Sequence, residues 1–203
     1  MKKLFYTFVV LLSINIFFQS CATNKSIAQR ITEFESATAD DRVCFVQWND
    51  GSIKYYTTLK LVTGVFTSPH LLGDDQVKIA AYQIKAYQDK DHYAISQKLF
   101  VSGKRSAVAT ETLPGFAVRV VKGKLNVYCK KFFNGERAVN EYYLQSGDDG
   151  EIQVYTPALM NDLMKNDAAA LSYFNTKKVK DHMPEKLLAT VQLFNNNQMV
   201  SKN

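Results

Sequence analysis

Tight-turn signals punctuate this chain at short intervals, and they constrain its fold more than any other feature. Asn49-Asp50-Gly51, Asn134-Gly135 and Gly147-Asp148-Asp149-Gly150 join residues that tolerate left-handed backbone to the one residue that adopts it freely, as a short hairpin connection requires. Gln88-Asp89-Lys90-Asp91 and Lys122-Gly123 add polar breaks of similar size. Between the breaks, residues 42–48, 53–62, 77–87, 92–99, 116–121, 124–133, 136–145 and 152–155 are rich in Val, Ile, Tyr, Phe and Thr, and most alternate with period two. That is the pattern of half-buried strands. Connections this short join neighbours that run in opposite directions, because parallel neighbours need a crossover of a dozen residues or more. The spacing predicts seven to nine antiparallel strands in a meander.

The period changes after the last turn. Thr156-Pro157 is a helix start, Thr as N-cap and Pro at the first helical position, and Leu159, Met160, Leu163 and Met164 form an apolar stripe behind it. Asp167 is placed to cap a continuation through Leu171 and Phe174. A second helix is predicted from Pro184, carrying Leu187, Leu188, Val191 and Phe194, with an asparagine-rich tail that frays. A meandering sheet must cover an apolar face, and two amphipathic helices are suited to it. The expected class is α+β, mainly β: an antiparallel meander forming a curved sheet or partial barrel, with two C-terminal helices packed on it.

The front of the chain carries an address. Met1-Lys2-Lys3 precedes an apolar stretch from Leu4 to Phe18, interrupted by Ser13 and Asn15, shorter than the about 20 apolar residues of a membrane-spanning helix. The stretch ends in Phe18-Gln19-Ser20-Cys21, which resembles the lipobox of bacterial lipoproteins. Ser20 fits that pattern, while Phe18 and Gln19 stand where Leu and a small residue are usual. The resemblance implies cleavage before Cys21, acylation of that cysteine and a membrane anchor in the bacterial cell envelope. Ala22 in place of Asp implies the outer membrane by the enterobacterial sorting rule. An ordinary signal peptide cut near Ser20 or Ala22 is the alternative. The expected organisation is a signal peptide at 1–20, a lipidated tether with a short amphipathic turn (Ile27, Ile31, Phe34) at 21–41, and one β-rich domain at 42–203.

Removing Lys2 and Lys3 lowers the formal charge from +6 to +4. The surplus is scattered over Lys122 and Lys124, Lys130 and Lys131, and Lys177, Lys178 and Lys180, the distribution of solvated faces and not of a nucleic-acid footprint. No nucleic-acid partner is expected. Outside the cytoplasm Cys44 and Cys129 could pair, closing a long loop, or stay as two buried free thiols; spacing alone leaves both open. His70, His92 and His182 have no H-x-H or H-x-x-x-H spacing, so neither a metal site nor a cofactor is expected. No Walker loop, G-x-S-x-G or G-x-G-x-x-G is present. Asp74-Asp75 and Asp148-Asp149 flank turn glycines, where Asp is favoured for its own backbone hydrogen bonds.

Aromatic residues are the remaining candidates. Tyr55, Tyr56, Tyr82 and Tyr87 fall in strand-like segments, and adjacent members must face opposite sides, so one of each pair is expected to meet water. The function read from the sequence is a non-enzymatic envelope lipoprotein that binds a protein or glycan partner at the membrane. Its rivals are a barrel that carries a small apolar ligand, which needs an enclosed cavity, and an envelope-polymer hydrolase, which needs convergent titratable groups.

Overall fold

The computed structural model describes residues 43–64, 66–101, 112–133, 135–176 and 183–200. The lipobox with Cys21, the tether, Asn134, Lys177, Lys178, Lys180 and His182 lie outside the described residues. No helix among the described residues is long and apolar enough to cross a membrane.

The strands are β1 (Cys44–Trp48), β2 (Ile53–Tyr56), β3 (Leu59–Val62), β4 (His70–Gly73), β5 (Val77–Ala80), β6 (Ile84–Gln88), β7 (Tyr93–Ser96), β8 (Phe116–Val121), β9 (Leu125–Phe133), β10 (Ala138–Ser146) and β11 (Gln153–Val154). Three helices follow, α1 (Pro157–Leu163), α2 (Ala168–Asn175) and α3 (Met183–Val200). Eight strands form one sheet in the order β11-β10-β9-β8-β7-β6-β1-β2, and the other three form a second in the order β3-β4-β5. Every strand pairing is antiparallel. The larger sheet ends at β2 and β11 and does not close into a barrel.

The turns form where expected. Gly51 has φ +92° and donates its N–H to the Trp48 carbonyl at 3.0 Å. Asp74 and Asp75 take φ of 48° and 57°, the left-handed pair of a type I′ hairpin between β4 and β5. The Asp74 carboxylate also accepts the Thr57 and Thr58 N–H groups, at 2.8 and 2.9 Å. That pair of bonds turns the chain out of the large sheet after β2 and into the small one, so residues 53–62 are two strands in different sheets. A second switch divides residues 77–87, where a 3₁₀ turn at Ala81–Gln83 separates β5 from β6. There the Gln83 side chain accepts the Ala80 N–H at 2.8 Å.

The register of the large sheet sets two faces. On the first, Val46, Tyr87, Ala94, Val118, Cys129 and Tyr142 follow one another across six strands. At the β1 and β6 end, this face packs with Leu59, Leu71 and Ile79 of the small sheet. At the β9 and β10 end it is covered by Met160, Met164, Leu187, Val191 and Phe194 of the helices. Cys44 belongs to the first cluster and Cys129 to the second. Both are buried free thiols, four strand intervals apart, or about 19 Å along the sheet at the usual strand spacing. A disulfide needs Cα atoms within roughly 7 Å, so the possible Cys44 to Cys129 bridge does not form and the free-thiol reading holds. Burial pushes the Cys44 thiol up from its ordinary pKa.

Two helices were expected and three are found. Thr156 caps α1 by accepting the Leu159 N–H at 3.1 Å, and Asp167 starts a separate helix by accepting the Ala170 N–H at 2.9 Å. The asparagine run does not fray but continues α3. Asn195 is buried, with its Oδ1 accepting the Leu125 N–H at 2.9 Å and its Nδ2 donating to the Leu125 carbonyl at 3.0 Å. Asn197 donates to the Asp167 carboxylate at 3.1 Å. A side-chain amide has the donor and acceptor of a peptide group, so here the helix end replaces a strand neighbour.

Candidate functional site

The second face of the large sheet carries a single transverse row contributed by all eight strands. Tyr55 of β2 pairs with Phe45 of β1, Phe45 with Gln88 of β6, and Gln88 with Tyr93 of β7. Arg119 of β8 comes next, its guanidinium 4.1 Å from the centroid of the Tyr93 ring. The row goes on through Tyr128 of β9, Tyr143 of β10 and Val154 of β11. Side chains on one face repeat every second residue along a strand, so hairpin pairing has aligned one residue per strand into this line.

The row has a closed half and an open half. Tyr128 and Tyr143 are 2% and 1% exposed, with Phe100 centred 6.2 and 4.5 Å from their rings. Phe100 is held there by a parallel bridge to Ile152. Beside them Lys130, itself buried, pairs with Glu141 at 2.6 Å, and Tyr143 donates its hydroxyl to the same carboxylate at 2.6 Å. Burial, reinforced by Glu141, raises the Tyr143 pKa. Across the row Tyr55 is 64% exposed and meets Phe45 edge-on at 6.2 Å. Phe45 lies 6.3 Å from Tyr93, and Phe45, Tyr93 and Arg119 are all part-exposed.

Arg119 stands where the halves meet. It pairs with Tyr128 across β8 and β9, and the Tyr128 hydroxyl donates to the Gln145 side chain at 2.6 Å. The Gln145 amide is fixed by the Asp148 and Gly150 carbonyls, both at 2.9 Å. Burial raises the pKa of Tyr93 and of Tyr128, and in both cases Arg119 opposes the rise. Among the described residues, no carboxylate forms an ion pair with Arg119. The carboxylate of Asp148 acts on the same two tyrosines and accepts the Asn126 amide at 3.1 Å.

Of the four tyrosines singled out from the sequence, Tyr55 and Tyr82 are exposed. Tyr56 and Tyr87 belong to the core beneath the small sheet. Tyr56 lies over Gly73, where even a Cβ would come within 2.5 Å of its ring, and Tyr87 packs on Phe116 at 5.6 Å. As binding surfaces these two are corrected to core residues. Tyr82 sits in the 3₁₀ turn, off the row. Tyr55 and Tyr56 do divide between water and core, but Tyr142 and Tyr143 are buried on opposite faces, because the sheet is covered on both sides at β10. Arg119 escaped the sequence reading; a lone Arg in Val118-Arg119-Val120 gives only an alternation signal, and its neighbours in space come from other strands, whereas Tyr93 belongs to the strand aromatics that alternation does single out.

A second grouping lies elsewhere. A cleft of about 380 Å³ separates residues 58–61 from the turn at 89–92, and ligand atoms of Asp89, Asp91 and His92 there fall within 4.8 Å of one another. Asp89 accepts the N–H groups of Asp91 and His92 at 2.8 and 2.7 Å. Burial alone would raise its pKa, but His92 and these backbone bonds outweigh that and hold it below the usual carboxylate range. The carboxylate is committed to shaping the β6–β7 turn. Comparison with protein-family models, with curated proteins and with solved structures finds no match to this chain.

Proposed function

We propose that this chain is a non-enzymatic lipoprotein of the bacterial cell envelope, anchored through Cys21, that binds a protein or glycan partner through the open half of the transverse row. The observation that carries the reading is the line of part-exposed rings at Tyr55, Phe45 and Tyr93 on a face whose other half is sealed. Rings that present a rigid apolar surface with a polar tip are favoured contact residues, and these are held in place by the sheet beneath them. The anchor rests on the lipobox resemblance alone. An apolar-ligand carrier of the barrel kind would need a sheet closed around a cavity, and the larger sheet does not close.

The test uses the full chain in its own membrane. Cys21→Ser should release it to the soluble fraction, and retention through a high-salt wash would overturn the anchor. Replacing Tyr55 and Tyr93 together with Ala should lower binding to isolated envelope material by more than tenfold while unfolding remains a single cooperative transition at somewhat lower stability, since Tyr93 also packs on the sheet. Unchanged binding would move the contact surface off this face.

A further inference from the structure

The open half has a chemical asymmetry that narrows what can lie on it. Its rings are neutral, and beside them the Arg119 guanidinium is part-exposed, stacked on Tyr93 at 4.1 Å and in no ion pair with a carboxylate among the described residues, although the Asp148 charge also reaches Tyr93. Arginine presents a planar fork of donors that matches a carboxylate edge. Stacking on Tyr93 holds the plane of that fork before any ligand arrives, which reduces the ordering cost of binding.

The direction of the row matters as much as its charge. It runs across the strands, and from Tyr55 to Arg119 covers four strand intervals, on the order of 19 Å. A ligand lying along it meets only side chains, since the backbone groups of β1, β6 and β7 are spent on neighbouring strands. An extended peptide placed there would leave its own N–H and C=O groups unpaired, which is costly. A peptide would instead add to the edge at β2, where Arg119 is out of reach. A pyranose chain has apolar ring faces for the aromatic surfaces and hydroxyls for an amide side chain such as that of the part-exposed Gln47. If its sugars are acidic, it has carboxylates for the guanidinium.

Resting on the functional reading above, we propose that the partner is an acidic glycan, laid across β2, β1, β6, β7 and β8, with sugar rings on Tyr55, Phe45 and Tyr93 and a uronate-type carboxylate on Arg119. The test titrates the full chain in detergent with oligogalacturonate, with a neutral oligosaccharide of equal length and with oligoglutamate. Oligogalacturonate should bind at least tenfold more tightly than the neutral oligosaccharide and weaken as salt rises. Arg119→Gln should remove that preference while leaving neutral-sugar binding within twofold, and Arg119→Lys should restore only part of it. If Arg119→Gln fails to fold, the salt dependence and the Lys variant decide. Equal affinity for acidic and neutral sugars, or an unchanged preference in Arg119→Gln, would overturn the carboxylate assignment and leave the binding face standing. Oligoglutamate binding as well as oligogalacturonate would overturn the glycan in favour of an acidic peptide. Loss of envelope binding in the Tyr55 and Tyr93 variant with no response to any of the three probes would overturn the acidic glycan alone.

Discussion

Tyr143 and Tyr55 stand in the same row of the same sheet face, one in the covered part at β9 and β10 and the other at the exposed β2 edge, and only the surroundings differ. At β10 the ring is capped by Phe100 and its hydroxyl is tied to Glu141. At β2 the ring has one aromatic neighbour on the row and water beyond. Residue type and strand position therefore do not decide whether a tyrosine holds the fold or meets a partner. What decides it is whether another segment of the chain lies over it, as Phe100, bridged to Ile152, does over Tyr128 and Tyr143.

This contrast can be broken by single changes. Tyr143→Ala should cost the most, about 3–5 kcal/mol, the usual range for deleting a buried aromatic ring. Urea denaturation would measure it, and a loss below about 1 kcal/mol would mean that the closed half is no core. Alkaline pH should come next. Tyr128, Tyr142 and Tyr143 all have raised pKa values, burial being the main cause, and Tyr142 is pushed up to about 12. An unfolded tyrosine ionises near pH ~10. Their stabilising effect is thus complete below that pH, and it is lost as pH climbs from there through about 12, where only the unfolded chain carries the charge freely. Tyrosinate absorbance should rise together with loss of the folded circular dichroism signal; ionisation of these tyrosines within an intact fold would contradict the burial.

Tyr128→Phe sharpens the boundary between the halves. It removes the hydroxyl that donates to Gln145, for a loss of about 1–2 kcal/mol, while the stacking of Arg119 on Tyr93 should persist. Tyr55→Ala should be the mildest change to stability, within about 0.5 kcal/mol as for most surface substitutions, while reducing binding. If Tyr55→Ala destabilises the fold as much as Tyr143→Ala, the two halves are not different in kind.

Much of the architecture is legible in the sequence because it rests on local chemistry. The Asn49-Asp50-Gly51 turn, the Thr156-Pro157 start and the stripe of Leu187, Val191 and Phe194 all act over a few residues. The two sheet switches are not legible. At Thr57-Thr58 the chain is redirected by a carboxylate 16 and 17 residues away, and an unbroken β-rich run conceals the break. The irregular register where β1 meets β6, between Gln47 and Trp48, has a similar effect. It brings Ile84 to the side of Tyr87 and leaves Ala86 on the opposite side, where strict alternation groups Ile84 with Ala86. The candidate site was half visible: Tyr55 could be picked from composition and alternation, but Phe45, Tyr93 and Arg119 join it only through pairings that span the chain from β1 to β8.

The amide pair between Asn195 and Leu125 has a dynamic consequence. The Leu125 N–H is protected by a side chain of α3 and not by a neighbouring strand, so its hydrogen exchange reports on the helix. Gly123, where a Cβ would come within 2.3 Å of the Asn195 amide, keeps that approach open. The β8–β9 connection and the last turns of α3 should therefore open as one cooperative unit, although some 70 residues of chain lie between them. Slow exchange at Leu125 should disappear in Asn195→Ala while β1 and β6 remain protected.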